Sequence, residues 1–244
     1  MIGKLKNHPF PVKAHFDESV VLTFAVPKEQ LQPLIPERMQ LDTYQDQWAF
    51  VAVALVQTSR LRPAIFPGWM GHNFFLIGYR IFVRYTNRAG KRLRGLYILK
   101  SQTDTWKMTF LGNLFTHYQY EHIDINRSST GNIQHINSNK SNFHLSWNSD
   151  GKEHAMPSGS PFDNWKEARK FAGPLPHTFS SREAGKSVLI VEGKRQDWIP
   201  TPIEVLDYQI GFLDYLKLEE IVLASAFKID NVPYSWNKGI LELW

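Results

Sequence analysis

The chain has no cysteine among its 244 residues. That excludes a disulfide framework, a thiolate metal site and a cysteine nucleophile. It also has no long apolar run. The longest, Trp48 to Val56, falls well short of the ~20 residues that a membrane-spanning helix needs. The opening stretch MIGKLKNHPFPVKAHF lacks the apolar core of a signal peptide, so a soluble cytoplasmic protein with no membrane association is expected. Histidines are present but poorly spaced for metal. None fall in H-x-x-x-H or H-E-x-x-H, and His117 and His122 straddle an expected helix end. No G-x-S-x-G elbow occurs. The tetrad AGKS (Ala184 to Ser187) has the look of a phosphate-loop end. However, Ser180 stands where that loop needs glycine, and VLIVEG follows where it needs a helix. No metal and no cofactor are therefore expected.

Aromatic surface is abundant. Phe, Trp and Tyr make up 14% of the chain, which suits a wide sheet-based core or an aromatic-lined cavity. The net charge is +5, part of it in RAGKRLR from Arg88 to Arg94. A basic excess raises nucleic acid as a partner. Yet Asn87 to Gly90 reads as a turn between strands, and charges at a hairpin tip are normally solvated. Nucleic acid is set aside on that ground.

Strand signals recur along the whole length. Ser19 to Pro27 and Trp48 to Gln57 are β-branched and aromatic, separated by a short helix in KEQLQPLIP. From Leu76 to Tyr85 one face carries Ile77, Tyr79, Ile81, Val83 and Tyr85, and the other Gly78, Arg80, Phe82 and Arg84. Arg94 to Ser101 pairs with this run as a hairpin. The period then changes: Trp106, Phe110, Leu114 and His117 follow helical spacing. This predicts a helix from about Thr103 to Thr116, capped by Ser101 or Thr103 and packed on the sheet by Trp106, Phe110 and Leu114. A meander of short strands follows to Asn148. Ser160 and Asp163 then cap a helix to about Phe171, closed by Gly173 and Pro174. The strand KSVLIVEGKR, a short helix near Glu204 to Tyr215, and the strands EIVLASAFKI and GILELW complete the chain. Roughly ten strands, few helices, no repeat and no linker predict one antiparallel β-rich (α+β) domain over residues 1–244.

Five residues are the ligand-pocket candidates: Arg80, Tyr97, Lys100, Asn113 and His117. Arg80, between Tyr79 and Ile81, either lies on a solvent face or recognises an anion inside a barrel. His117 either meets the negative pole of its helix or takes part in chemistry. Asn113 on the same helix caps, packs or binds ligand. Lys100 ends the apolar run RGLYILK and, by alternation, shares a face with Leu96 and Ile98. It is a rim or strand-end lysine, an anion contact, or a reactive amine. In the last case burial and a like charge such as Arg80 or Arg94 would lower its pKa.

The blocks HPFPVKAHF, VPKEQLQPLIPERMQLDTYQDQWAFVAVAL, GYRIFVRY, RGLYILKSQTD and LGNLFTHYQY resemble, in order and over most of the chain, those of the uncharacterised DUF2071 family. That family resembles the acetoacetate decarboxylase-like superfamily. The resemblance implies a single antiparallel cone-shaped β-barrel with a few flanking helices and an internal pocket. In the decarboxylases a Schiff-base lysine attacks a keto acid, its pKa lowered by burial and an adjacent lysine. The matching segment here, LFTHYQYEH, has Thr116, His117, Tyr118 and Gln119 but no lysine. The implied function is a small-molecule-binding protein, its unidentified ligand anionic, without Schiff-base chemistry. One alternative is a lyase or decarboxylase-like enzyme using Lys100 as its catalytic residue on a carboxylated or carbonyl compound. The other is a basic module acting through its surface. A homo-oligomer is compatible with all three.

Overall fold

The structure, a computed structural model, describes residues 5–152, 154–173, 175–182, 186–196 and 198–244. The β-branched and aromatic runs form long strands: β1 (Val12–Pro27), β2 (Gln40–Leu41), β3 (Trp48–Pro63), β4 (His72–Thr86) and β5 (Arg92–Thr103). Shorter ones follow: β6 (Tyr120–His122), β7 (Asn126–Thr130), β8 (Ile133–Ser138), β9 (Phe143–Asn148), β10 (His177–Arg182) and β11 (Ser187–Arg195). The last are β12 (Thr201–Pro202), β13 (Glu204–Ile210), β14 (Val222–Trp236) and β15 (Ile240–Leu243). The helices among the described residues are α1 (Lys28–Leu31), α2 (Trp106–Phe115), α3 (Trp165–Ala172) and α4 (Gly211–Tyr215), besides two 3-10 turns. The fold is β-rich with few helices. No described helix is long and apolar enough to cross a membrane.

The larger sheet runs β12-β14-β1-β3-β4-β5-β10-β11-β15, with β2 beside β4 and β6 beside β5. β11 also pairs with β14, through Gly193↔Trp236 to Arg195↔Tyr234, so the path returns to a strand it has already used. A smaller sheet orders β13-β9-β8-β7. Both faces of the large sheet are buried, which explains strands as apolar as β3. One face, with Leu22, Phe24, Val53, Ile77, Tyr79 and Ile81, packs with Leu145 and Trp147 of the small sheet. The other, with Phe50, Ala52, Phe82, Phe227 and Ile229, packs with Phe162, Ala168 and Leu175 around α3. Each large apolar side chain so buried contributes roughly 1.5–3 kcal/mol, a framework able to hold a costly polar group.

Several sequence expectations need correction. α2 begins at Trp106 and is capped by Thr105, whose Oγ1 accepts from Met108 N. Ser101 and Thr103 still belong to β5. Trp106 and Phe110 do not pack the helix on the sheet: they are 71% and 68% exposed. The helix instead turns Gly112 inward, where a Cβ would come within 2.3 Å of the Tyr120 ring. Periodicity found the helix but assigned the wrong face, because a close approach needed glycine rather than a large side chain. α3 is capped by Asn164, accepting from Glu167 N at 3.0 Å, rather than by Ser160 or Asp163. Pro174 lies outside the described residues. Glu204 to Ile210 is a strand, with only Gly211–Tyr215 helical. Of the AGKS tetrad, Ala184 and Gly185 lie outside the described residues, and Ser187 opens β11.

Candidate functional site

The alternation of β4 places Gly78, Arg80, Phe82 and Arg84 on the inner face. Arg80, Phe82, Leu96, Ile98 and Ser101 line a cavity of about 140 Å³, together with Tyr118, Tyr120, Thr178, Arg195 and Tyr234. Arg169, Ala172 and Gly173 of the α3 region, with Trp198 and Pro200, complete its wall. The Arg80 guanidinium is enclosed by protein, and the part of its surface left open faces this cavity. It folds back over Gly78, where a Cβ would stand 3.0 Å from its Nη2 and 3.1 Å from its Nε. Its buried Nε has no hydrogen-bond partner. No ion pair to Arg80 exists among the described residues, and burial lowers its pKa while the phenols of Tyr234, Tyr120 and Tyr118 raise it. A buried, unpaired guanidinium is destabilising unless something completes it.

Three tyrosines surround that charge. Asn113 of α2 fixes Tyr120 as a strand neighbour would, donating from Nδ2 to Tyr120 O at 2.8 Å and accepting from Tyr120 N at 2.8 Å. Burial pushes the Tyr120 phenol up to about 12, against the pull of Arg80. Burial likewise raises Tyr118 and Tyr234. All three therefore stay neutral near pH 7 and keep an O–H to donate. Tyr234 stacks on Phe16 with ring centroids 4.6 Å apart. It fits because residue 193 is glycine: a Cβ there would lie 2.2 Å from its hydroxyl. Arg195 donates to the Tyr234 hydroxyl at 3.4 Å and lies 4.7 Å over the Trp198 ring. The lining contains three guanidiniums, of which Arg80 lies deepest, Arg195 is part-buried and Arg169 exposed, with three phenols, Ser19, Ser101 and Thr178, but among the described residues no carboxylate, lysine or histidine. Every charged group described in the lining is cationic, which favours an anion over a cation.

The five candidates divide among three places. Only Arg80 reaches this cavity, where it is the central group. Tyr97, Asn113 and His117 line a separate, polar cleft with Lys6, Thr116, Gln119 and Ser180. Lys100 lines neither. A bulge is the reason: β5 pairs Lys100 with Tyr79 and Ile98 with Arg80, leaving Leu99 as an extra residue. Beyond it the faces exchange, so Ser101 rather than Lys100 continues the face of Leu96 and Ile98. The Lys100 amine ion-pairs with Glu121 at 2.7 Å and lies 5.5 Å over the Phe212 ring. That ring packs on Tyr79, on the far side of the sheet from the cavity. Tyr118, Tyr120, Arg195 and Tyr234 were missed by sequence reasoning. The alternation of Tyr118 and Tyr120 was a visible signal. The meeting of β11 with β14, which brings in Arg195 and Tyr234, left none. No group of three or more metal-ligating side chains occurs among the described residues.

The geometry has known counterparts at the level of fold. The acetoacetate decarboxylase of Legionella pneumophila subsp. pneumophila str. Philadelphia 1 superposes with a TM-score of 0.60 at 11% identity, covering 96% of this chain and 88% of that one. The enduracididine biosynthesis enzyme MppR, complexed with pyruvate, gives 0.55 at 11% identity, covering 96% and 90%. An acetoacetate decarboxylase-like enzyme from Sphingomonas wittichii RW1 gives 0.51 at 11%, covering 97% and 92%. No curated protein matches the chain by sequence. The family model that does match, over residues 13–226, is DUF2071, described as an uncharacterised conserved protein, and the chain belongs to that family.

Proposed function

We propose that the protein binds a small anionic molecule in the Arg80 cavity and performs no Schiff-base chemistry there. The carrying observation is the Arg80 guanidinium, enclosed by the cavity wall with no carboxylate beside it among the described residues and with its buried Nε unsatisfied. A bound carboxylate would supply the missing partner, and charge-assisted hydrogen bonds of this kind are the strong ones. The absence of lysine from the lining among the described residues supports binding over imine formation. The return of β11 onto β14 supports a closed, cone-like barrel as the vessel. The pairing of β1 with β14 along nearly its whole length supports one domain. Titration calorimetry with pyruvate, acetoacetate and benzoate tests the proposal. At least one should bind, and Arg80→Met should lower its affinity tenfold or more. Binding that is indifferent to Arg80→Met would overturn it.

A further inference from the structure

Arg195, Trp198 and Tyr234 wall the Arg80 cavity on one side and a second space on the other. That space is an open groove of about 1070 Å³, lined also by Lys13, His15, Arg60, Arg62, Lys194 and Gln196. Five of its lining residues, Lys13, Arg60, Arg62, Lys194 and Arg195, carry permanent positive charge, and no carboxylate lines it among the described residues. None of the five makes an ion pair with a described residue. Asp17 approaches only His15, at 3.8 Å, and is itself hydrogen-bonded by Ser59. Surface cations normally lie among acidic neighbours, so a groove of one sign focuses a field on whatever enters it.

The backbone of one of these cations and the side chain of another are held in place. Arg60 has a left-handed backbone, φ 55°, which disfavours any residue with a Cβ. Asn73 accepts from its N–H at 2.9 Å, and Gly71 presses so close that a Cβ there would lie 2.5 Å from the Arg60 backbone. Arg62 donates from Nε to Phe66 O at 3.0 Å and from Nη1 to Arg60 O at 2.8 Å, so its guanidinium is pre-set.

The two spaces differ in the way the two ends of one ligand would. The cavity is small and walled by Val21, Phe82, Leu96 and Ile98 around a single deep charge. At about 140 Å³ it lies below the roughly 300–1,000 Å³ of ordinary ligand pockets, so only part of a larger molecule would enter. The groove is wide, wet and polycationic. We propose that the ligand is a two-part anion: a small carboxylate-bearing head on Arg80, joined to a phosphate-bearing handle lying along Lys13, Arg60, Arg62 and Lys194. Arg195 stands at the neck between them. Guanidiniums suit phosphate through bidentate donation. A nucleic-acid backbone would use the groove but leave Arg80 unsatisfied, since no duplex enters an enclosed cavity. This proposal rests on the anion-binding reading of the cavity.

The test compares succinate, coenzyme A and succinyl-coenzyme A by titration calorimetry and by quenching of tryptophan fluorescence, Trp198 being at the neck. The thioester should bind at least tenfold more tightly than either part, and its affinity should fall steeply with salt. The double variant Lys13→Glu/Arg62→Glu should weaken the thioester at least tenfold while leaving succinate unchanged. Arg62→Lys, which keeps the charge but loses the pre-set fork, should weaken the thioester less than Arg62→Glu does, and melting curves check that each variant is folded. Succinate bound through Arg80 with no gain from the coenzyme A portion would overturn the two-part ligand and leave the cavity reading intact. Coenzyme A bound as tightly as the thioester, with Arg80→Met silent, would overturn both. Tighter binding of a 20-nucleotide DNA than of the thioester would assign the groove to nucleic acid and also overturn the proposal.

Discussion

Arg84 and Arg80 share the inner face of β4, four residues and so roughly 13 Å apart, yet their surroundings are opposite. Arg84 donates from Nε to Asp42 Oδ1 at 2.5 Å, and Arg94, its cross-strand partner, holds the other oxygen, Oδ2. Asp42 is fully buried, while the two arginine side chains remain about a third exposed at 34% and 33%. Arg94 also donates to Phe171 O and lies over the Phe171 ring. Between the two arginine sites sits an aromatic layer of Phe50, Phe82, Phe162 and Phe171. Beyond it Arg80 has phenols, another arginine and a small cavity, but among the described residues no carboxylate. The same residue type on the same strand is thus complete at one end and incomplete at the other. The completed end ties α3 and β2 to the hairpin. The incomplete end carries free energy that a ligand can recover.

Breaking the completed end should have the largest effect. Asp42→Ala leaves two arginines facing one another without their carboxylate. Removing one partner from a buried ion cluster typically costs about 3–5 kcal/mol, which for a chain of this size lowers the melting temperature by ~10 °C. Scanning calorimetry reads it directly. A change below about 1 kcal/mol would mean that Asp42 is no more than a surface ion pair in energy, and the contrast would fail.

Arg80→Met should move stability the other way. It replaces an unpaired buried charge with an apolar side chain of similar length, which is stabilising by roughly 1–3 kcal/mol in comparable cases. The melting temperature should rise by a few degrees while anion binding is lost. Destabilisation as large as that of Asp42→Ala would show that Arg80 has a structural partner and is no receptor.

The alternation of Ile77 to Arg84 was legible in the sequence and correctly put Arg80 opposite the apolar face. So were the hairpin, its Asn87–Gly90 turn and the family blocks. Lys100 was misplaced because one extra residue, Leu99, reverses every face beyond it, and a bulge leaves no mark in an unaligned sequence. The α2 stripe misled because Trp106 and Phe110 are solvent-facing, with Trp106 stacked on His122 at 4.3 Å. Arg195 and Tyr234 are far from Arg80 in sequence, and only the closing pair β11–β14 brings them to it. Long-range pairing of this kind is set by the whole sheet rather than by local pattern.

A subtler change at the incomplete end tests position rather than charge. Gly78→Ala keeps Arg80 but puts a methyl 3.0 Å from its Nη2, so the guanidinium must move into the cavity. Anion affinity should fall several-fold, while stability should stay within ~1 kcal/mol, since the φ of Gly78 lies outside the left-handed range. Unchanged affinity would show that Arg80 tolerates displacement, and that Gly78 does not position it.

The smallest effect should come from Lys100, the residue that sequence alone made most conspicuous. Its amine is engaged by Glu121 at 2.7 Å on the face away from the cavity. Lys100→Gln should therefore leave anion binding unchanged, and borohydride added with acetoacetate should trap no adduct on the unmodified protein. The variant should still register in stability. Hydrogen bonds from Lys100 and then Gln102 hold the Glu121 carboxyl below its usual range. A folded-state pKa depressed in this way contributes stability above the unfolded value of ~4.3, and loses it as pH falls through the folded value. Melting temperatures of the two proteins should accordingly differ slightly at pH 7 and converge below about pH 4. Glu121 is half exposed, so the difference should stay within ~1 kcal/mol. An adduct mapped to Lys100 and lost in Lys100→Gln would return the imine-forming enzyme to first place, and would require Lys100 to leave Glu121 and turn through the sheet to the other face.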